Sequence, residues 1–260
     1  MRALPVILSA FLFLAFSVPA IAGEKIRMGY FMLQPHTYSE IKDGPAKGAG
    51  IAYFNKVAEK MGYEVEWVGP LPLPRLTEYL KSGKVDGTIG FPKFSLFEQF
   101  LDYTDSAVYM AQPSLAVSAD RSLSSIGKIG DIKDFRIGFV KSKSGKTTPL
   151  IDNNRKAIHL REFHGNKWME QSIRMVQKQR LDALYDRQQY TMRYVAAQLK
   201  LEDKIRVLPM PAKPSPMYIA FSKKSSKGAK KLVDASNAAV SKIKADYVAL
   251  LEKEFSALKK

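Results

Sequence analysis

Hydrophobic and polar positions in the first part of the chain alternate between strand patterns and helix patterns. The strands show a period of two or a short apolar run, whereas the helices show apolar positions three and four apart. Gly62 and Gly83 stand where the C-terminal caps of two helices are expected. Strand–helix–strand units of this kind predict a parallel sheet with helices on its faces. The predicted elements are strands at 25–30, 63–68 and 85–91 and helices at 51–61 and 76–80.

A second set of patterns begins around a polar, glycine-containing stretch at 121–134. Four prolines between 209 and 216 then indicate an extended crossing, because proline does not continue a helix. Apolar positions from 232 to 251 follow a helical stripe without Gly or Pro, and we expect this tail to pack on the first lobe. The predicted elements of the second set are strands at 114–118, 135–140, 181–185, 205–209 and 217–221 and helices at 168–176 and 190–199.

Two successive sets joined by two extended crossings predict an α/β protein with two lobes and a ligand cleft between them. We expect residues 23–119 and 210–260 to form lobe 1 and residues 120–209 to form lobe 2.

The N-terminal residues 1–22 have the pattern of a secretory signal peptide. Arg2 supplies a positive start, 6–16 is apolar apart from Ser9, and Ala20 and Ala22 fit the small-residue cleavage pattern. The apolar run is shorter than the about 20 residues that a membrane span needs, which favours cleavage after Ala22 over an uncleaved anchor. We therefore expect an exported, periplasmic protein.

Composition then restricts the function further. The chain has no Cys, which excludes disulfides, thiolate metal sites, a cysteine nucleophile and a lipid anchor at the cleavage site. Its formal net charge is +16, with the excess of Lys and Arg in residues 120–260. Because neither an aromatic RNA-binding motif nor a zinc-finger spacing accompanies this charge, and because export removes the chain from nucleic acid, we expect no nucleic-acid partner.

Four stretches resemble a known family when their order and spacing are taken together. They are 48–62, which closes on Ala-Glu-Lys-Met-Gly; 80–87, Leu-Lys-Ser-Gly-Lys-Val-Asp-Gly; 91–105, from Phe-Pro-Lys to Leu-Asp-Tyr-Thr-Asp; and 180–186, Arg-Leu-Asp-Ala-Leu-Tyr-Asp. The chain is similar to the periplasmic solute-binding proteins of the amino-acid type, family 3. The resemblance implies the two-lobed type II periplasmic binding protein fold, a small polar ligand, a monomer and an ABC transporter permease in the inner membrane as partner.

The resemblance also implies positions for the ligand site. Tyr38 matches an aromatic residue that packs on the ligand, and the segment from Gly90 to Lys93 with Ser95 matches one that supplies backbone and hydroxyl contacts. Thr147 and Thr148 match a turn at a helix start that binds a carboxylate, a place where free N–H groups favour an anion.

A carboxylate that holds the ligand's ammonium group completes the implied site, and Asp186 stands at its position. One departure concerns the family's Thr/Ser-x-x-Arg, whose Arg clamps an α-carboxylate. Phe97 stands at the Arg position, its neighbour Glu98 is acidic, and Ala52 replaces a frequent Asp. Either another cation such as Lys93 receives the anion, or the ligand lacks that carboxylate.

Other motifs carry little chemistry. The segment from Gly138 to Thr147 ends in Gly-Lys-Thr but has six residues between its glycines where a phosphate-binding loop needs four. His159 and His164 lack a metal-binding spacing, whereas His36 lies beside Tyr38 on the expected cleft loop. We therefore expect no metal, no cofactor and no enzymatic activity.

Three functions remain open at this point. The leading hypothesis is a periplasmic solute-binding protein for an ABC importer. The second is a sensory or scaffold protein of the same fold that docks on a membrane signalling partner. The third is an exported enzyme, for which no convincing acid–base or nucleophile pair is present.

Overall fold

The computed structural model describes residues 24–41, 43–140, 147–165, 167–243 and 245–259 of the 260-residue chain. Among those residues, no helix has the length and hydropathy that a transmembrane span requires. The predicted signal peptide, residues 1–22, lies outside the described residues.

Strands and helices alternate in the order that the periodicity predicts. The first half of the chain forms β1 (Glu24–Gly29), α1 (Ala49–Met61), β2 (Tyr63–Val68), α2 (Leu73–Ser82), β3 (Gly87–Pro92), α3 (Ser95–Glu98), β4 (Leu101–Tyr103), β5 (Tyr109–Ala111) and β6 (Ser114–Ser118). The second half forms β7 (Arg136–Phe139), α4 (Pro149–Asp152), β8 (His159–Glu162), α5 (Trp168–Gln177), β9 (Ala183–Asp186), α6 (Gln189–Gln198), β10 (Ile205–Pro209), β11 (Ser215–Ser222), α7 (Ala229–Val240) and α8 (Tyr247–Ala257).

The strands form two separate sheets. The first has the order β2-β1-β3-β11-β4, with β5 paired to the start of β11; its β2, β1 and β3 are parallel. The second has the order β10-β6-β9-β7-β8, in which β9, β7 and β8 are parallel and β6 runs antiparallel to both of its neighbours. We call the first sheet with the helices packed on it lobe 1, and the second with its helices lobe 2. The predicted two-lobed α/β fold is confirmed.

An aspartate fixes the register of the parallel strands in lobe 1. The backbone N–H of Arg27 donates to Oδ2 of Asp86 at 2.8 Å, and the N–H of Asp86 donates to the carbonyl of Arg27 at 2.7 Å. The Arg27 guanidinium donates to the carbonyl of Gly83 at 3.2 Å, and Ser225 donates to the other oxygen of Asp86 at 2.7 Å. Because Asp86 is buried, this contact ties the start of β3 to β1 and to the chain after β11.

Lobe 2 repeats the same arrangement. The N–H of Arg136 donates to Oδ2 of Asp182 at 2.9 Å, and the N–H of Asp182 donates back to the carbonyl of Arg136 at 2.9 Å. The Arg136 guanidinium donates to the carbonyl of Gln179 at 2.8 Å. Gln179 has φ of 54° and Gly83 has φ of 74°, so the turn before each aspartate passes through the left-handed region. Asp86 and Asp182 are therefore structural residues that fasten the starts of β3 and β9.

The predicted boundary between the lobes differs from the structure. The predicted boundary at residue 119 places Ser114–Ser118 in lobe 1, whereas this strand, β6, pairs within the second sheet. Both faces of β6 are apolar, because Leu115 and Val117 pack in one lobe 2 cluster and Ala116 packs in the other. A strand with two apolar faces belongs to a sheet that is covered on both faces. The chain therefore crosses between the lobes at 112–113.

The predicted tail helix is two helices rather than one. The stripe packs on lobe 1 as expected, because Leu232, Ala239, Tyr247 and Leu251 are all buried in a lobe 1 cluster. It is interrupted between α7 and α8, where the Asp246 carboxylate accepts the N–H of Val248 at 2.9 Å and caps a new helix.

We predict that Asp86→Ala lowers the free energy of unfolding by about 3 kcal/mol. The substitution leaves the Arg27 N–H and the Ser225 hydroxyl without their acceptor, and each unpaired buried group costs about 1–3 kcal/mol. Urea unfolding followed by circular dichroism measures the change. The matched control is Asp203→Ala, at an exposed position, where a change within about 0.5 kcal/mol is expected. Equal midpoints for the two variants would contradict the structural role of Asp86.

Candidate functional site

The carboxyl ends of the parallel strands of both lobes lie beside the interlobe crossings. The last residue of β3, Pro92, pairs with Met217 near the start of β11, just after the chain returns to lobe 1. The last residue of β9, Asp186, pairs with Ser114, where β6 begins just after the chain enters lobe 2. The two sets of strand ends therefore face one cleft, which is where α/β proteins bind ligands.

On the lobe 2 side, Thr147 and Thr148 open α4 as predicted. The Thr148 side chain caps the helix by accepting the N–H of Ile151 at 3.5 Å. Thr147 donates its N–H to the Asp152 carboxylate at 3.0 and 3.2 Å and its hydroxyl to the same group at 3.0 Å. The turn that matches a carboxylate-binding turn thus already holds a carboxylate of this chain. Gly145 and Lys146, which precede it, lie outside the described residues.

Asp152 keeps its negative charge at this position. Burial raises the pKa of its carboxyl, but the hydrogen bonds from Arg155 at 2.7 Å and from Thr147 lower it more, so the pKa lies below its usual value. An ionised carboxylate this close to the Thr147 N–H repels a second carboxylate. The turn is therefore poorly suited to a ligand carboxylate.

Asp186 has the opposite character. Asp186 is a half-buried residue at the end of β9 in the cleft wall, and its carboxyl accepts the N–H of Gln188 at 2.7 Å. Burial raises its pKa to about 6, against smaller opposing effects of Gln188 and Arg187. The Arg187 guanidinium donates to the carbonyl of Thr147 at 3.0 Å, which joins the two segments of the lobe 2 wall. A desolvated carboxylate at this place suits a ligand cation.

On the lobe 1 side, Lys93 and Ser95 are exposed after the end of β3. The Lys93 ammonium lies 3.8 Å from Glu98 and 5.8 Å from the centre of the Tyr103 ring, in a groove that lobe 1 residues alone form. Counting Thr/Ser-x-x-Arg from Ser95 leads to Glu98, and the alternative position, Phe97, packs against buried Phe91. Neither position supplies a cation for a ligand carboxylate.

Tyr38 lies apart from the other predicted site residues. It is 5% exposed, and its hydroxyl donates to Glu254 of α8 at 2.7 Å. The Tyr194 hydroxyl of α6 donates to it at 3.4 Å, and the Tyr194 ring meets Phe255 edge-on at 5.6 Å. Tyr38 thus contributes to a contact between α8 and lobe 2, while Thr147, Thr148 and Asp186 lie together in the cleft wall.

A stack of three rings, which the sequence did not reveal, lies beside this contact. The rings of His36 and Tyr109 are parallel with centroids 4.2 Å apart, and Tyr247 stacks on Tyr109 at 5.1 Å. Nδ1 of His36 lies 2.8 Å from the Tyr247 hydroxyl. Tyr190, at the start of α6, approaches His36 edge-on at 6.0 Å. We call His36, Tyr109 and Tyr247 the ring stack; it joins the first loop, the crossing strand β5 and α8.

Several polar atoms around the ring stack have no hydrogen-bond partner in the described part of the chain. They come from both lobes: Nε2 of His36 from lobe 1 and Oγ1 of Thr191, next to Tyr190 in α6, from lobe 2. Each unpaired buried polar group costs about 1–3 kcal/mol. These unpaired groups oppose close packing of the two lobes, which suits a cleft that opens and closes.

The remaining histidines lie on the surface, His164 with 80% of its side chain exposed. Within the described ranges, no group of three or more His, Asp or Glu side chains is arranged to hold a metal ion.

We predict that His36 makes the stability depend on pH. Burial lowers the pKa of His36 from 6.5 to about 3, so the folded chain excludes a proton that the unfolded chain binds. The contribution of His36 to the free energy of unfolding is therefore fully present above pH 6.5. It falls by about 1.4 kcal/mol per pH unit as the pH drops from 6.5 toward 3. Urea unfolding at several pH values should show this slope in excess of that of His36→Phe, which keeps a ring but does not titrate. His164→Gln should behave like the wild type, and identical slopes for wild type and His36→Phe would contradict the prediction.

Comparison with solved structures finds the same fold in proteins of low sequence identity. AncCDT-1, an ancestral cationic amino acid solute-binding protein, is 21% identical with a TM-score of 0.69, over 89% of this chain and 95% of that one. AbpA, an amino acid ABC transporter substrate-binding protein from Streptococcus pneumoniae bound to L-arginine, is 19% identical with a TM-score of 0.66, over 91% and 96%. The periplasmic VFT2 domain of BvgS from Bordetella pertussis is 15% identical with a TM-score of 0.66, over 90% and 93%.

No curated protein matches the chain in sequence. The model of the family described as bacterial extracellular solute-binding proteins, family 3, matches residues 26–257, which include both sheets and all helices up to α8. The chain belongs to the family 3 bacterial extracellular solute-binding proteins.

Proposed function

We propose that this solute-binding protein captures a small amine-bearing solute in the periplasm and delivers it to an ABC transporter permease in the inner membrane. In this proposal residues 1–22 are a signal peptide cleaved after Ala22, the mature chain is a monomer without cofactor, and binding involves no chemical conversion of the solute. The observation that carries the proposal is the desolvated carboxylate of the half-buried residue Asp186, which ends β9 in the cleft wall.

An ammonium group is the ligand feature that Asp186 suits best. The Gln188 N–H holds this carboxyl in place, and burial raises its pKa because the carboxylate has lost water. A ligand cation beside the carboxylate compensates for that lost solvation, so it is bound favourably. Two proteins of the same fold are described as binding cationic amino acids or L-arginine, which supports a cationic ligand here. Ser95 at the opposite wall is exposed and offers a hydroxyl to a polar group.

An α-carboxylate on the ligand is disfavoured. Asp152 takes the N–H and hydroxyl of Thr147, Lys93 faces Glu98, and no arginine stands at position 97 or 98. Of the two alternatives that the sequence leaves open, these contacts support a ligand that lacks the carboxylate. Arg187 lies in the same wall, but its guanidinium bonds the Thr147 carbonyl.

We predict that Asp186→Asn weakens binding of an amine about 10- to 100-fold, which corresponds to losing a charged hydrogen bond of about 1.5–3 kcal/mol. A thermal-shift screen of amines, polyamines, amino acids, small acids and sugars identifies the solute, and calorimetry gives its affinity. Native mass spectrometry of the purified protein supplies an independent candidate. Asp203→Asn, at an exposed position, should bind like the wild type. A screen without any saturable binder would contradict the proposed function, and an unchanged affinity in Asp186→Asn would remove Asp186 from the site.

We also predict a pH dependence of that affinity. Because the pKa of Asp186 is about 6, its carboxyl takes up a proton below that pH and loses its attraction for a cation. The affinity should be constant above pH 7 and fall about tenfold per pH unit below pH 6. In Asp186→Asn the dependence should disappear. An amine affinity that is the same at pH 5 and pH 7.5 would show that another group holds the ammonium.

A second function is favoured by one specific observation. The lobes already contact each other through α8 and the first loop, with Tyr194 bound to Tyr38 and packed against Phe255, and the periplasmic VFT2 domain of BvgS shares the fold. A sensor or scaffold protein would use this contact to present a fixed surface to a membrane signalling partner.

Solution scattering separates the two functions. A carrier should be more extended without solute and should contract when the solute is added, because its lobes close about the crossings. An unchanged radius of gyration would favour the sensor. The genes beside this one provide a second test, since permease and ATPase genes accompany a carrier, whereas a kinase or cyclase gene accompanies a sensor.

A further inference from the structure

Exposed large apolar side chains concentrate at one edge of the described structure. Five of the eight in the described ranges follow the carboxyl ends of parallel strands. After strands of lobe 1 come Met32, Leu73, Phe94 and Leu96, which are 51%, 45%, 50% and 61% exposed. After β7 of lobe 2 comes Val140, which is 41% exposed. We call the four residues of lobe 1 the apolar rim.

The apolar rim lies over a half-buried base. Phe31, Leu71 and Phe97 are its neighbours in sequence, and all three pack against a single buried cluster of lobe 1. The N–H of Leu71 donates to the carbonyl of Tyr30 at 2.8 Å, which places the segment after β2 against the end of β1. The Phe94 ring lies 6.1 Å from that of Phe97. The three segments that carry the rim residues therefore rest on one buried cluster of lobe 1.

This surface lies at the cleft side of lobe 1. The end of β3 pairs with the start of β11 at the interlobe crossing, and the rim residues Phe94 and Leu96 directly follow it. Soluble proteins seldom expose a contiguous apolar patch unless it binds something. Asp186 ends β9 beside the other crossing, so a solute held there would meet this surface across the cleft.

We propose that the apolar rim binds the hydrocarbon body of the solute, so that the cleft takes an amphiphilic amine with an alkyl or aryl group and no α-carboxylate. This inference rests on the proposed function, since it requires Asp186 to hold the ammonium. The charges near the rim agree with it: Lys93 and Glu98 neutralise each other at 3.8 Å, and Asp152 occupies the turn that would otherwise receive an anion.

A series of n-alkylamines tests the proposal by calorimetry at pH 7.5. From ethylamine to hexylamine the affinity of the wild-type protein should rise about fourfold per methylene, which is the value for burial of a CH₂ group, with one molecule bound per chain. L-Norleucine, which adds an α-carboxylate to the carbon skeleton of n-pentylamine, should bind at least about tenfold more weakly than n-pentylamine.

Variants then locate the hydrocarbon. In the double variant Phe94→Ser/Leu96→Ser, the increase in alkylamine affinity should fall below about twofold per methylene. Ethylamine should bind to this variant as it binds to the wild type. Ile41→Ser/Val248→Ser is the matched control, because both positions are exposed and apolar but lie outside the rim, and it should keep the wild-type increase. Leu73→Ser changes a different segment of the rim and should also reduce the increase in alkylamine affinity per methylene. Thermal unfolding establishes that each variant is folded.

Each remaining outcome decides against the proposal. If alkylamine affinity does not depend on chain length while polar amines or amino acids bind, the rim proposal fails and the proposed function stands. If no solute of any class binds, the proposed function fails and the rim proposal with it. Reversible dimerisation in sedimentation analysis, or flotation with phosphatidylglycerol vesicles, that is lost in Phe94→Ser/Leu96→Ser would assign the rim to a second copy or to a lipid surface instead.

Discussion

The contact on which the rest of the structure depends is the tie between an arginine and an aspartate at the start of the parallel strands. Arg27 with Asp86 and Arg136 with Asp182 use the same reciprocal backbone and side-chain hydrogen bonds in two lobes. A shift of one residue in a strand turns its side chains to the other face, so these ties fix which residues emerge at the strand ends. Because the ends of β3 and β9 both lie beside the crossings, the ties also decide which residues line the cleft.

The contact between the lobes has a different character. It is built mainly from α8 and the ring stack, with Tyr38, His36 and Phe255 on one side and Tyr190 and Tyr194 of α6 on the other. Aromatic packing favours closure, while the unpaired Nε2 of His36 and Oγ1 of Thr191 oppose it. A contact balanced in this way allows solute binding to shift the lobes with a modest free energy.

The cleft itself combines three features that agree with one another. Asp152 replaces a ligand carboxylate at the turn of Thr147, the position expected for a clamping arginine holds Phe97 or Glu98, and Asp186 is a desolvated carboxylate. The apolar rim on the facing edge adds a surface for hydrocarbon. The high positive charge of the chain has no evident role in this site, since the cleft groups named here are acidic or already paired.

The sequence by itself determined the fold class, the family, eight of the eleven strands of the described structure and its longer helices, but not the short elements β4, β5 and α3. Local signals carry this information: Gly62 and Gly83 end their helices in the left-handed conformation, and the apolar spacing of 51–61 produces the buried face of α1. The tertiary structure alone decided the lobe to which 114–118 belongs, the break between α7 and α8, and the edge strand β8, whose mostly exposed side chains carry no strand periodicity. It also separated Tyr38 from Thr147, Thr148 and Asp186, because the partner of Tyr38 is Glu254 at the far end of the chain. Periodicity and motifs report neighbours along the chain, whereas a cleft is made by residues that only the packing of two lobes brings together.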